Sequence, residues 1–295
     1  MTESIRTPAE AVTPAPRFVG AVCAIALCGA LAGSANADNI RTFYQADAIV
    51  TGTDMRQRPW GFAECLREVL VKVSGDPRLK DDPRTIDLAA HADQYVASFD
   101  YVDMMAGIPR KDDQGSYDRP HRLTVYFDPV RINQALARLG DSPWRGKRPT
   151  VVPVLLVHGQ KPPAYLLSAS VPVGAEQRGA FATAAGEFGM TVRFPTDAEF
   201  VRWGIAVDRF LSRRAPLPSQ RPGEAIVVGS LDWSEAAPGW IGVFRARGQG
   251  VTYSWGISGV NYDAAFRDVV RGVVLIASGH GAPDARLNAA SRPSR

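Results

Sequence analysis

Cysteine is scarce in this chain. There are three in 295 residues, and two of them, Cys23 and Cys28, lie in an apolar stretch near the N-terminus. Only Cys65 remains beyond that stretch, so no internal disulfide can staple the rest of the chain. Histidine is nearly as sparse: His91, His121, His158 and His280 make up the full set. No two of them stand at a metal-ligand spacing and none neighbours a cysteine, which argues against zinc, and no cofactor is expected. No Gly-x-Gly-x-x-Gly or Walker-type loop offers a phosphate cradle, and no Gly-x-Ser-x-Gly elbow presents a serine nucleophile. The net charge of +4 is spread along the chain without a dense Lys/Arg run, so nucleic acid is not an expected partner.

Long hydrophobic runs are also missing, with one short exception. Phe18 to Gly33 is nearly all apolar, short of the roughly 20 residues that a bilayer-spanning helix needs. Arg6 and Arg17 precede it, and Ser34-Ala35-Asn36-Ala37 follows with the small residues of a peptidase site. This is the pattern of a secretory signal peptide, residues 1–37, cleaved after Ala37. The expectation is a soluble periplasmic or secreted protein with no integral membrane segment after cleavage. Acylation at Cys28 is disfavoured, because bulky Leu27 precedes it where a lipoprotein peptidase prefers a small side chain.

Periodicity organises the remainder. Arg41 to Val50 reads as a strand. Pro59 then opens a helix in which Trp60, Ala63, Leu66, Leu70 and Val73 recur at three- and four-residue steps until Ser74-Gly75. Asp81-Asp82-Pro83 caps a second helix with Leu88, Ala92, Tyr95, Val96 and Phe99 on one face. Tyr101 to Ile108 and His121 to Phe127 suit a hairpin around the polar turn Lys111 to Ser116, and Asp128-Pro129 opens a helix that stops at Gly140. Residues 38–140 are therefore expected to form an antiparallel sheet with helices on one face, and 141–149, rich in Pro, Gly and charge, a linker.

Residues 150–282 read as a second α/β domain with a mixed sheet. Thr150 to His158 is apolar enough for a strand covered on both faces. Helices are expected over Ala175 to Phe188 and Thr196 to Ser212, with a strand at Met190 to Phe194. Pro216 to Gly223 is a proline-rich loop. Three strands then form a meander, Ala225 to Trp233, Gly239 to Ala246 and Val251 to Ile257, and a last helix, capped by Asn261 or Asp263, ends at Gly279. Residues 283–295 are an expected disordered tail. The fold class is thus α+β, with two small domains.

Candidate sites are few. Cys65 falls mid-helix with no cation beside it and reads as a buried apolar residue rather than a reactive thiol. Asp47, Asp54, Asp81, Asp82, Asp100 and Asp103 can each serve as a cap, a turn former or a solvated charge. His158-Gly159 reads as a strand end, and Arg213-Arg214 as a connector. Trp233, Trp240 and Trp255, with Tyr253, make the meander aromatic and are the candidate binding residues: they stack on a glycan or peptide, or they pack between strands.

Leu66 to Gly75 after the Tyr44-Gln45-Ala46 strand, Gly189 to Asp197, Val228-Gly229-Ser230-Leu231, Gly239-Trp240 and Ser278-Gly279-His280-Gly281 together resemble an uncharacterised bacterial family, domain of unknown function two thousand and sixty-six. The resemblance implies a secreted or envelope protein of Gram-negative bacteria, and it carries no established activity and no catalytic residue. The order of elements in the second half also looks like the small α/β modules of periplasmic accessory proteins. The expected function is a non-enzymatic protein that binds or helps assemble another envelope component, an envelope protein or the cell wall. The alternatives are an envelope hydrolase whose site assembles between the domains, from two carboxylates or a His–Asp pair, and a glycan-binding protein using the meander tryptophans.

Overall fold

The computed structural model describes residues 42–108, 119–160, 163–211, 215–236 and 238–283. The expected signal peptide, the turn Lys111 to Ser116, Arg213-Arg214 and residues 284–295 lie outside the described residues. By its contacts the chain divides after Thr42, and the architecture below belongs to the unit Phe43–Arg295.

The elements are β1 (Gln45–Thr51), α1 (Arg58–Ser74), α2 (Pro83–Ala89), β2 (Val96–Asp103), β3 (Pro120–Phe127), α3 (Pro129–Leu139), β4 (Thr150–His158) and β5 (Tyr165–Leu166). Then come α4 (Ala175–Glu187), α5 (Asp197–Arg202), α6 (Val207–Leu211), β6 (Glu224–Ser234), β7 (Gly239–Gly248), β8 (Val251–Val260) and α7 (Tyr262–Ser278). They make a three-stranded antiparallel sheet ordered β1-β3-β2 and a five-stranded mixed sheet ordered β5-β4-β6-β7-β8. The fold is α+β, as read from the sequence.

Alternation places Ala46, Ala48 and Val50 of β1 and Leu123, Val125 and Phe127 of β3 on one face of the first sheet, where they join a buried core with α1 and α3. The stripe on α1 is Phe62, Cys65, Leu66, Val69, Leu70 and Val73, all buried. Each fully covered Leu or Val there contributes roughly 1.5–3 kcal/mol. Asp128 caps α3 by accepting from the Val130 and Arg131 N–H groups.

The second sheet is covered on both faces. Val151 and Leu155 of β4 and Val227 and Leu231 of β6 meet α4 and α7 on one side. Val152, Val154 and Leu156 meet Ile226, Val228 and the α5–α6 residues Phe200, Ile205 and Phe210 on the other. This is why β4 reads as an unbroken apolar run. Pro153 is tolerated inside it because β4 is paired only in part on its outer edge. Residues 191–193 bond to Val151, and Leu167 N–H donates to Leu155, while Pro153 falls between them with no N–H to offer.

Several boundaries differ from the sequence reading, and β1 begins at Gln45 rather than Arg41. The second helix ends at Ala89, a 3-10 turn spans Ala92–Tyr95, and Val96 to Phe99 belong to β2, where the β-formers Val96, Phe99 and Tyr101 pair with β3. β2 stops at Asp103 because its carboxylate accepts from the Met105 N–H and turns the chain. Met190 to Phe194 contributes a single parallel bridge, Val192 to Val151, rather than a strand. The expected helix over Thr196 to Ser212 breaks into α5 and α6 because Gly204 takes a left-handed φ of 65°.

Residues 141–149 are anchored along their length. Trp144 N–H donates to Val73 O at 2.9 Å. Arg148 lies between the rings of Phe43 and Trp144, 4.2 and 4.4 Å from their centroids, and donates to the carbonyls of Phe188 and Lys72. Burial pulls the Arg148 guanidinium down to about 10, which still leaves it charged at neutral pH.

Candidate functional site

Two places gather chemically capable side chains. The first is a seam between the elements around the first sheet and the end of α7. α1 ends at Gly75, whose left-handed φ of 75° allows the chain to pass close beneath Ser278, the last residue of α7. Ser278 Oγ donates to Gly75 O at 2.9 Å and lies 2.7 Å from His280 Nδ1, while His280 Nε2 lies 3.2 Å from Asp141 Oδ1. Asp76 stands beside them, both its oxygens taken by Arg78 at 2.8–3.1 Å. Burial raises the Asp76 carboxyl, but the Arg78 side chain and backbone N–H outweigh it and hold it below the usual carboxylate range.

The order Ser278, His280, Asp141 has the residue types of a hydrolytic triad. Its setting does not suit one. Ser278 stands at the carbonyl end of α7, the negative pole of the helix, where a developing oxyanion is disfavoured. A Cβ on Gly75 would already lie 2.8 Å from Ser278 Cβ, so no substrate carbonyl fits between them. Ser278 Oγ thus stands within hydrogen-bond reach of Gly75 O, Leu275 O and His280 Nδ1, and His280 Nε2 within reach of Asp141.

Asp76, Asp141 and His280 also offer three ligand atoms within 4.8 Å of one another. The Asp141 Oδ2 atom is buried and accepts no hydrogen bond among the described residues. A metal fits poorly even so, because Arg78 occupies the Asp76 oxygens. The seam is a polar strut.

The second place is the carboxyl end of the parallel pair β4 and β6. His158, the last residue of β4, lies 3.3 Å from Asp232 of β6, and Asp232 also accepts from Ser230 at 2.8 Å. Trp233 of β6 and Trp240 of β7 are cross-strand partners with ring centroids 5.7 Å apart and planes at 83°. Both are partly exposed. Trp233 Nε1 donates to Glu235 at 2.8 Å, and Gln160 donates to the same oxygen at 3.2 Å. Trp240 reaches across the sheet end to Gly159, where a Cβ would lie 3.6 Å from its ring.

Trp255 is elsewhere. At 3% exposure it packs on Phe244 and against Gly272 of α7, so its faces are closed to a ligand. Its indole N–H is buried and finds no acceptor among the described residues. Among the other sequence candidates, Asp47 accepts from Thr124 and Asp82 caps α2. Asp54 and Asp103 pair with Arg56 and Arg119. Cys65 is fully buried, and burial pushes its thiol up. A shallow groove of about 230 Å³ between α4 and α7 is lined by Thr183, Glu187, Asp263 and Arg267 among others, with Arg267 donating to both Glu187 oxygens.

Sequence reading missed the seam. Its one signal was the Ser278-Gly279-His280-Gly281 run, and nothing local linked that run to Asp141 or Asp76. It also read His158 as a bare strand end, since Asp232 comes beside it only through the parallel pairing of β4 with β6.

Residues 37–145 match a family model described as a domain of unknown function, DUF8605. The match covers the first sheet with its helices and ends inside the anchored segment 141–149, so both sides of the second sheet lie beyond it. No curated protein and no solved structure matches the chain. Among the described residues, no helix is long and apolar enough to cross a membrane.

Proposed function

We propose that this chain is an exported accessory protein of the bacterial cell envelope, one that binds or helps assemble another envelope component and performs no chemistry on it. The observation that carries this reading is the seam. The Ser278, His280 and Asp141 set has the residue types of a hydrolase but stands at the wrong pole of a helix, with its hydroxyl packed against the Gly75 carbonyl. Export is supported by the charged, apolar and small-residue succession of residues 1–37, and the family-model match begins at residue 37, beside the expected cleavage point. The motif resemblance to domain of unknown function two thousand and sixty-six, with its Gram-negative envelope setting, points the same way.

The test is in-cell crosslinking of the tagged full-length protein, with mass spectrometry of what co-purifies from the envelope fraction. The expected result is a dominant envelope component, captured equally by Ser278→Ala, which loses thermal stability and nothing else. Turnover of cell-wall, lipid or ester substrates by purified residues 38–295, abolished in Ser278→Ala, would overturn the reading in favour of the hydrolase.

A further inference from the structure

We infer that the carboxyl end of β4 and β6 is a carbohydrate-binding site, with Trp233 and Trp240 as its stacking surface and Glu235 as its hydroxyl acceptor. The inference rests on the binding role proposed above and names the ligand class. Three independent features converge on it.

The first is topology. β4 and β6 are parallel neighbours, yet the chain leaves β4 toward β5 on one side and leaves β6 toward β7 on the other. Connections that depart in opposite directions open a crevice at the strands' carboxyl ends, where ligands of open α/β sheets bind. His158, Gly159, Asp232 and Trp233 stand at that end.

The second is the shape of the aromatic pair. With planes at 83° and centroids 5.7 Å apart, the two indoles form a floor and a wall. A pyranose ring, flat on its C–H face and polar at its edge, fits such a corner. A cationic side chain is held best by rings that enclose it, and these two leave the corner open. A Cβ at Gly159 would touch the end of the Trp240 ring, 3.6 Å away, so glycine there keeps a side chain off it.

The third is the chemistry and rigidity of the rim. Trp233 Nε1–H is held by Glu235, and Gln160 binds the same carboxylate oxygen, so the indole and the carboxylate fix each other's positions. The second Glu235 oxygen accepts nothing among the described residues and faces a solvent-exposed rim. A fixed carboxylate acceptor beside an apolar plane complements sugar hydroxyls, which can donate, on a ring whose C–H face is apolar. Prior ordering lowers the entropy lost on binding.

The experiment uses purified residues 38–295 with two probes, a tetramer of β-1,4-linked glucose and one of β-1,4-linked N-acetylglucosamine, followed by tryptophan fluorescence and calorimetry. At least one should give saturable quenching with matching heat. Trp240→Ala should weaken binding at least about tenfold, as removal of a central aromatic anchor does. Glu235→Gln, which keeps the shape of the rim, should weaken it severalfold. Trp255→Phe, changing a ring that is closed to ligand, should leave affinity unchanged while its circular dichroism reports the fold. No saturable response to either sugar at 10 mM probe, roughly the weak limit of useful binding, overturns the inference. So does equal binding by wild type and Trp240→Ala. Capture of an envelope protein in cells with no sugar response removes this site and leaves the accessory role standing. Tryptophan-dependent binding accompanied by cleavage of the sugar keeps the site and removes the non-enzymatic role.

Discussion

Replacing Gly75 with alanine tests whether the end of α7 presses on the end of α1 as tightly as the structure places it. Two costs add. Gly75 has a φ of 75°, a left-handed conformation that costs an alanine about 1–2 kcal/mol. The new Cβ would also lie 2.8 Å from both Ser278 Cβ and Trp144 Cε3, so one of them must move, an overpacking cost of about 1–3 kcal/mol. The sum is about 3 kcal/mol, or a fall in melting temperature of roughly 6–12 °C at about 2–4 °C per kcal/mol for a chain of this size. Gly140→Ala is the control, because Gly140 ends α3 with a φ of 81° and has nothing within 4 Å of its would-be Cβ. It should lose only the backbone part. Thermal and urea unfolding followed by circular dichroism read both variants. Equal losses at the two positions would refute the close packing of the seam.

Two further outcomes follow from the titrating groups. The Asp76 carboxyl is held below its ordinary value by Arg78 against the opposing effect of burial. Its contribution is therefore present above about pH 4, the unfolded value, and is lost as pH falls through the lower folded one. Asp76→Asn should cost about 1–3 kcal/mol at neutral pH and flatten the acid limb of the stability profile, and an unchanged limb would contradict the pairing. Burial raises the Glu68 carboxyl, against the opposing charges of Lys80 and Lys72. Its ionised form is thus penalised in the folded state, and the penalty is absent below about pH 4 and grows as pH rises through the raised value. Glu68→Gln should be more stable than wild type at pH 7 and equal to it at pH 3.5 by urea titration, and a loss at pH 7 would show that the carboxylate is needed.

Local signals made most elements legible. Pro59 in the first turn and Gly75 at the C-cap bracket α1, and the caps Asp128 and Gly140 bracket α3, as Asn261 and Gly279 bracket α7. The unbroken apolar run of β4 announced a strand buried on both faces. What was illegible depended on partners distant in sequence. Val96 to Phe99 satisfies a helical spacing and a strand alternation equally well, and pairing with β3 decides for the strand. Met190 to Phe194 has strand composition but finds only Val151 to pair with.

The site followed the same rule. Trp233 and Trp240 could be named from their residue type. That they meet, while Trp255 enters the core, was set by where along one face of the sheet each stands and by the seat that Gly272 leaves for the third ring. The polar residues of both sites come from separate elements, Asp141 with His280 and His158 with Asp232, so no spacing along the chain could announce them.

Engagement of an envelope glycan by the carboxyl end of β4 and β6 is tested in cells by photocrosslinking with a photoreactive phenylalanine derivative at position 240, and the same probe at position 201, an 80%-exposed site on α5, as the control. The expected result is a light-dependent adduct from position 240 that enters the envelope fraction and shrinks on digestion of its glycan, with none from position 201. No adduct from position 240, or equal adducts from the two, would contradict it.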